Sequence, residues 1–137
     1  MSRSLSFFCY LVLNLISAIA FAQDCTLYRG VFNDTNPIAL VADGVIYKGP
    51  FAKKNPVAHF EGSMLYRRKS GSADPIASFE DQVIYKGVNN QNNPIAHLKD
   101  ETIYEGEDSE ANPVFHTLNC SKEESLAAAA AALLIEF

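Results

Sequence analysis

The sequence predicts a mainly β protein: a closed ring or barrel of five antiparallel β-hairpins, with an apolar C-terminal α-helix in its centre. Three observations predict it. A nineteen-residue unit repeats five times without insertion or deletion. The two ends of the repeat array are complementary halves of the fifth hairpin, and the tail is an alanine-rich, apolar helix former. Tyrosine marks the period at Tyr28, Tyr47, Tyr66, Tyr85 and Tyr104, and proline at Pro37, Pro56, Pro75, Pro94 and Pro113.

The chain has 137 residues, enough for one domain. It opens with Met1-Ser2-Arg3-Ser4 and then an apolar run from Leu5 to Ala22, ending in Ala20-Phe21-Ala22. One positive charge, an apolar stretch and a small-x-small site read as a secretory signal peptide over 1–22, cleaved after Ala22. A membrane anchor is the alternative for a run of that length. Cys25 follows Ala22-Gln23-Asp24, which places a charge where a lipobox needs a small residue, so lipidation is not expected. Cys9 leaves with the leader. Cys25 and Cys120 remain as an even pair in an oxidising compartment, with one possible intramolecular bridge.

The repeat ring is expected over 23–120. In each unit a first strand follows the proline: Ile38–Ala42, Val57–Glu61, Ile76–Glu80, Ile95–Lys99 and Val114–Leu118. A second surrounds the tyrosine: Thr26–Arg29, Val45–Lys48, Met64–Arg67, Val83–Lys86 and Thr102–Glu105. β-Branched and aromatic residues suit a pleated, half-buried surface. Asp43-Gly44 and Gly62-Ser63 are tight-hairpin pairs, while Asp81-Gln82 and Asp100-Glu101 lack glycine and carry a weaker signal. The longer connections start at Gly30, Gly49, Gly87 and Gly106, where a positive φ is easy, with Arg68 instead in the third repeat. Each ends in Asn-Pro or Asp-Pro, an extended entry into the next strand.

The array begins with a second strand and finishes with a first strand. Pairing them supplies the fifth hairpin and removes both sheet edges. Cys25 and Cys120 both map onto the place of Gly44, so a disulfide there replaces the missing turn. Closing so long a loop contributes about 4–5 kcal/mol in the chain-entropy treatment.

The tail, 121–137, opens with Ser121-Lys122-Glu123-Glu124, a capping box. It continues through six alanines, Ala127 to Ala132, to Leu133-Leu134-Ile135. Alanine is the best helix former, and a helix apolar all round must be buried or in lipid. Ten strands about 4.8 Å apart and tilted about 36–45° close at roughly 10 Å radius. That leaves room for one slim helix, so the tail is expected to thread the ring. Its inner wall is expected from Leu27, Ile46, Leu65, Ile84 and Ile103 with Val41, Phe60, Phe79 and Leu98. The opposite face carries Ile38, Tyr47 and their equivalents, and periodicity alone does not say which face points inward.

Ile46-Tyr47-Lys48-Gly49 followed by Pro56-Val57-Ala58, with the same pattern in the other units, resembles the β-flower proteins, bacterial domains of radially arranged short hairpins. The resemblance spans about Leu27 to Leu118, and five units suggest the five-fold form. It carries over no catalytic residues. The implied layout is similar to tubby C-terminal domains, barrels around a hydrophobic helix that bind phosphoinositide membranes. That is an analogy of fold and does not transfer function.

Charge and chemistry narrow the function classes. The net charge is −5, about −6 without Arg3, which argues against a nucleic-acid partner. Lys48, Lys53, Lys54, Arg67, Arg68 and Lys69 are expected to make one side basic, and Glu101, Glu105, Glu107, Asp108 and Glu110 another side acidic. His59, His97 and His116 all lie three residues after their prolines. Ligating one ion would require all three at a common centre, which a helix-filled ring forbids. They are expected at tolerant, semi-exposed strand positions. No metal, cofactor or catalytic residue is expected. Glu61, Glu80 and Asp81 are turn residues and do not form a carboxylate pair across a cleft. The tyrosine ring reads as packing first, with Tyr28, Tyr47, Tyr66, Tyr85 and Tyr104 and the three histidines as possible ligand-facing groups. The expected function is a secreted or periplasmic, non-enzymatic binding or structural module of the cell envelope. Its partner would be a glycan, lipid or protein met by the variable loops. The alternative is a membrane- or partner-associating module using the apolar tail.

Overall fold

The computed structural model describes residues 24–30, 37–49, 54–71, 74–88 and 93–135. The leader expected over 1–22 lies outside them. Among the described residues ten strands occur: β1 (Cys25–Arg29), β2 (Pro37–Ala42), β3 (Val45–Lys48), β4 (Pro56–Glu61), β5 (Met64–Arg67), β6 (Ala77–Glu80), β7 (Val83–Lys86), β8 (Pro94–Lys99), β9 (Thr102–Glu105) and β10 (Pro113–Leu118). One helix, α1 (Lys122–Leu134), follows. The strands form a closed antiparallel barrel in which each pairs with its sequence neighbours, and β1 pairs with β10.

Closure reproduces the hairpin register. Inside the first hairpin Val41 faces Ile46 and Leu40 faces Tyr47. Across the closing seam Thr117 faces Leu27 and His116 faces Tyr28, the same positions one period away. The Cys25–Cys120 disulfide, with Cα atoms 4.5 Å apart, stands where the other units have a turn. The seam between β5 and β6 is the shortest, pairing Met64 with Ser78 and Leu65 with Ala77.

The inner wall is built from two residues of each first strand and one of each second strand. Leu27, Ile46, Leu65, Ile84 and Ile103 are all fully buried, joined by Val41, Phe79, Leu98 and the half-buried Phe60. The sequence reading missed a further layer: Ala39, Ala58, Ala77, Ala96 and Phe115, two residues after each proline. Each of these lies across a seam from a Leu or Ile, as Ala58 does from Ile46 and Phe115 from Ile103. Large beside small is how a narrow barrel packs to native density and still admits a helix. Helix α1 occupies that space, and Ala127 to Ala131 are fully buried. Its capping box forms as expected: Glu124 N–H donates to Ser121 Oγ, and Ser121 N–H donates to the Glu124 carboxylate. The fifth residue of the inner ring is Thr117, whose Oγ1 accepts from buried Ser125 Oγ at 3.0 Å. This polar pair pins the helix within an apolar core, where an unpaired hydroxyl would be costly.

One expectation needs correction. Ile38 and Tyr47 do not share a face. Leu27 faces Ala39 and Tyr28 faces Pro37, so Ile38 is the extra residue of a β-bulge. The same shift leaves Val57, Ile95 and Val114 unopposed. A bulge re-aims one side chain, and these residues pack against the inner core while the tyrosines stay outside.

Candidate functional site

The up-and-down order puts every hairpin turn at one end of the barrel and every longer connection at the other. Helix α1 begins at the turn end and finishes at the loop end. Lys122 and Leu126 line a cleft with Ser63, Phe79 and Asp81, whereas Leu133 and Leu134 line one with Arg67, Ile76 and Lys86.

Charge is sorted along this axis as well as around the ring. The turn end carries Asp43, Glu61, Glu80, Asp81, Asp100, Glu101 and Glu123 against Lys99 and Lys122. At the loop end, the residue after each tyrosine is Arg29, Lys48, Arg67, Lys86 or Glu105, each exposed and the last of its strand. A helix carries partial positive charge at its N-terminus and negative at its C-terminus. The acidic end therefore meets the helix start, and the basic end meets the helix finish. The last turn of α1 has no basic residue of its own, so the barrel provides the compensating cations. The acidic exception, Glu105, stands beside Glu107, Asp108 and Glu110 in the final loop, which reaches back along the outside to pair Glu110 with Lys99.

The outer face holds the predicted histidines and tyrosines in a repeated arrangement. His59 stacks on Tyr66, His97 on Tyr104 and His116 on Tyr28, with ring centroids 5.0, 5.3 and 4.8 Å apart. Each Nδ1 lies 2.8–2.9 Å from the carbonyl of the positive-φ residue that opens a long connection: Arg68, Gly106 and Gly30 respectively. A carbonyl only accepts, so each Nδ1 carries the proton. His59 and His97 are buried, at 5% and 9% exposure, not semi-exposed as the strand position suggested. Leu40 and Ser78 hold the equivalent places opposite Tyr47 and Tyr85, both buried.

The histidines thus act on separate hairpins, and no group of metal-ligating side chains occurs among the described residues. The tyrosines are spread around the outside and do not gather at a mouth. Burial, followed by Glu107, Glu80 and Asp81, pushes the Tyr85 hydroxyl above its ordinary value of 10.0.

At the loop end a cleft of about 420 Å³ opens beside the helix tip. The sequence reading put no site here. Its parts are visible in the sequence as Tyr-Arg, Tyr-Lys and Leu-Leu, but nothing local indicates that they meet. No helix among the described residues is long and apolar enough to cross a membrane, which says nothing of strands.

No curated protein and no solved structure matches the chain. A family model described as the 6-fold beta flower protein matches residues 46–122, more than half of the chain. The β-flower resemblance is thereby shown, under the six-fold description where the five-fold form was expected. The described strands of this chain form a closed ring of five hairpins. Here it closes at ten strands around an alanine helix, with a disulfide in place of one turn. By its repeat, its closed hairpin barrel and this match, the chain belongs to the 6-fold beta flower family.

Proposed function

We propose that this small repeat module works outside the cytoplasm, as a secreted or periplasmic, non-enzymatic binding or structural component of the cell envelope. The observation that carries the reading is the Cys25–Cys120 disulfide at the closing seam. Such a bridge forms and persists in oxidising compartments, and the signal-like leader is the route there. The barrel is a frame whose variable connections all emerge at one end, an arrangement that suits recognition by loops on a rigid scaffold. Ligand contact is assigned to that end. The alternative, in which the apolar tail leaves the ring for a lipid surface, would empty the core that Ala127 to Ala131 fill.

Fractionation of cells expressing the full chain, with N-terminal sequencing and thiol labelling, tests the compartment. The expected product starts at Gln23, has no free thiol at Cys25 or Cys120, and lies in the periplasm or medium. A chain that stays in the cytoplasm with both cysteines reduced would remove the basis of the proposal.

A further inference from the structure

We infer that the loop-end cleft is a binding site for a single-chain anionic amphiphile, whose head sits between Arg67 and Lys86 and whose tail lies on Ile76, Leu133 and Leu134. This deepens the reading of the chain as a binding module and names its ligand class. The cleft measures about 420 Å³, within the roughly 300–1,000 Å³ range of small-molecule sites. Its lining combines the apolar side chains of Ile76, Leu133 and Leu134 with the cationic ones of Arg67 and Lys86. The floor is the end of the buried helix, where Leu133 is 36% exposed and is the one large hydrophobic side chain so exposed among the described residues. The rim supplies charge of one sign. Arg67 and Lys86 close two second strands that flank β6, and neither has an ion pair among the described residues.

Several features favour an anionic head over a neutral or cationic one. Arg67 presents a planar donor fork and Lys86 a point charge, a combination suited to a carboxylate or phosphate oxygen. Arg68 and Lys69 follow Arg67 directly, and Glu107, from the connection after β9, acts on Tyr85 beside Lys86 as a countercharge outside the cleft lining. The negative end of the helix dipole opposes this by about half a charge, against the cations of Arg67 and Lys86 in the lining. The apolar floor favours a chain over an inorganic anion, since its desolvation gains only if apolar surface covers it.

Laurate is the probe, titrated calorimetrically into the full oxidised protein, with dodecylamine as the reversed-charge probe and phosphatidylglycerol vesicles as a second arm. The expected result is saturable laurate binding that weakens at least tenfold in the Arg67→Gln/Lys86→Gln variant. The Arg29→Gln/Lys48→Gln variant, changed at the same register position elsewhere on the rim, is expected to change it less than twofold. Dodecylamine is expected to bind at least tenfold more weakly than laurate. If phosphatidylglycerol vesicles bind with the same Arg67/Lys86 dependence, a membrane lipid can supply the head. If laurate alone binds, the ligand is a free carboxylate. Absence of saturation below about 1 mM laurate, equal loss in both double variants, or equal dodecylamine affinity would overturn the site. Because all variants alter exposed side chains, thermal melts check that the barrel is intact. The compartment experiment is separate, so failure of one leaves the other standing.

Discussion

At Gln82 the backbone is left-handed, with φ 67°, beside Asp81 at φ 50°. The equivalent turn in the first hairpin places Gly44 there at φ 75°. A side chain in that region costs roughly 1–2 kcal/mol, and the extra unfolded-state freedom of glycine returns about 0.5–1 of it. Gln82→Gly is therefore expected to stabilise the protein by about 0.5–1 kcal/mol, read as a higher urea midpoint at unchanged slope. No gain would mean that the Gln82 side chain makes a compensating contact. Tyr85 gives a pH signature. Burial, with Glu107, Glu80 and Asp81 nearby, raises its hydroxyl above the usual value. The folded state therefore keeps a proton that the unfolded chain loses near pH 10, and stability falls as pH rises from there up to the folded value. An alkaline titration followed at the tyrosinate absorbance should show one late-titrating group that Tyr85→Phe removes.

Helix α1 is an element whose sequence is explained by its surroundings. Its alanines are helix formers, but what requires alanine here is the diameter of a ten-strand barrel. Ala129 is fully buried, and strands enclose it on every side. Ala129→Leu has no direction in which to relax, so the cost is expected at or above the upper end of the overpacking range, about 3 kcal/mol. Leu133→Ala, at the exposed tip, should stay within about 0.5 kcal/mol. Parallel thermal melts of the two variants compare them directly. A tolerated Ala129→Leu would show that the helix sits loosely. The strands follow the same logic: Ala39, Ala58, Ala77 and Ala96 make the room that the alanines of the helix then fill.

For the whole molecule, the closing seam decides how the ring holds together. The Cys25–Cys120 bridge beside the β1–β10 pairing spans 95 residues of sequence, which makes this seam the contact of highest entropic cost. The disulfide removes most of that cost from the unfolded chain. Reduction is expected to lower stability by about 4–5 kcal/mol, measured as the shift in urea midpoint between oxidised and reduced protein. Hydrogen exchange should speed most at the amides joining β1 to β10. An unchanged midpoint would mean that the pairing of β1 with β10 suffices without the bridge. The sorting of charge between turn end and loop end is also a property of the whole molecule. Neighbouring strands run in opposite directions, so residues nineteen apart share an end and residues a few apart need not.

The linear sequence determined the period, the hairpins, their closure and the position of the disulfide. Each depends only on spacing along the chain and on the local conformational preferences of Gly, Pro, Tyr and Ile. It also determined that the tail is a helix too apolar to stand in water. Only the tertiary structure decided which strand face points inward. The bulge after four of the five prolines breaks the two-residue alternation and sends Ile38 to the core while Tyr47 stays outside. It likewise decided the burial of His59 and His97 and the meeting of Arg67, Lys86, Leu133 and Leu134 at one cleft. The cleft joins segments far apart in sequence, and no local periodicity encodes the distance between them.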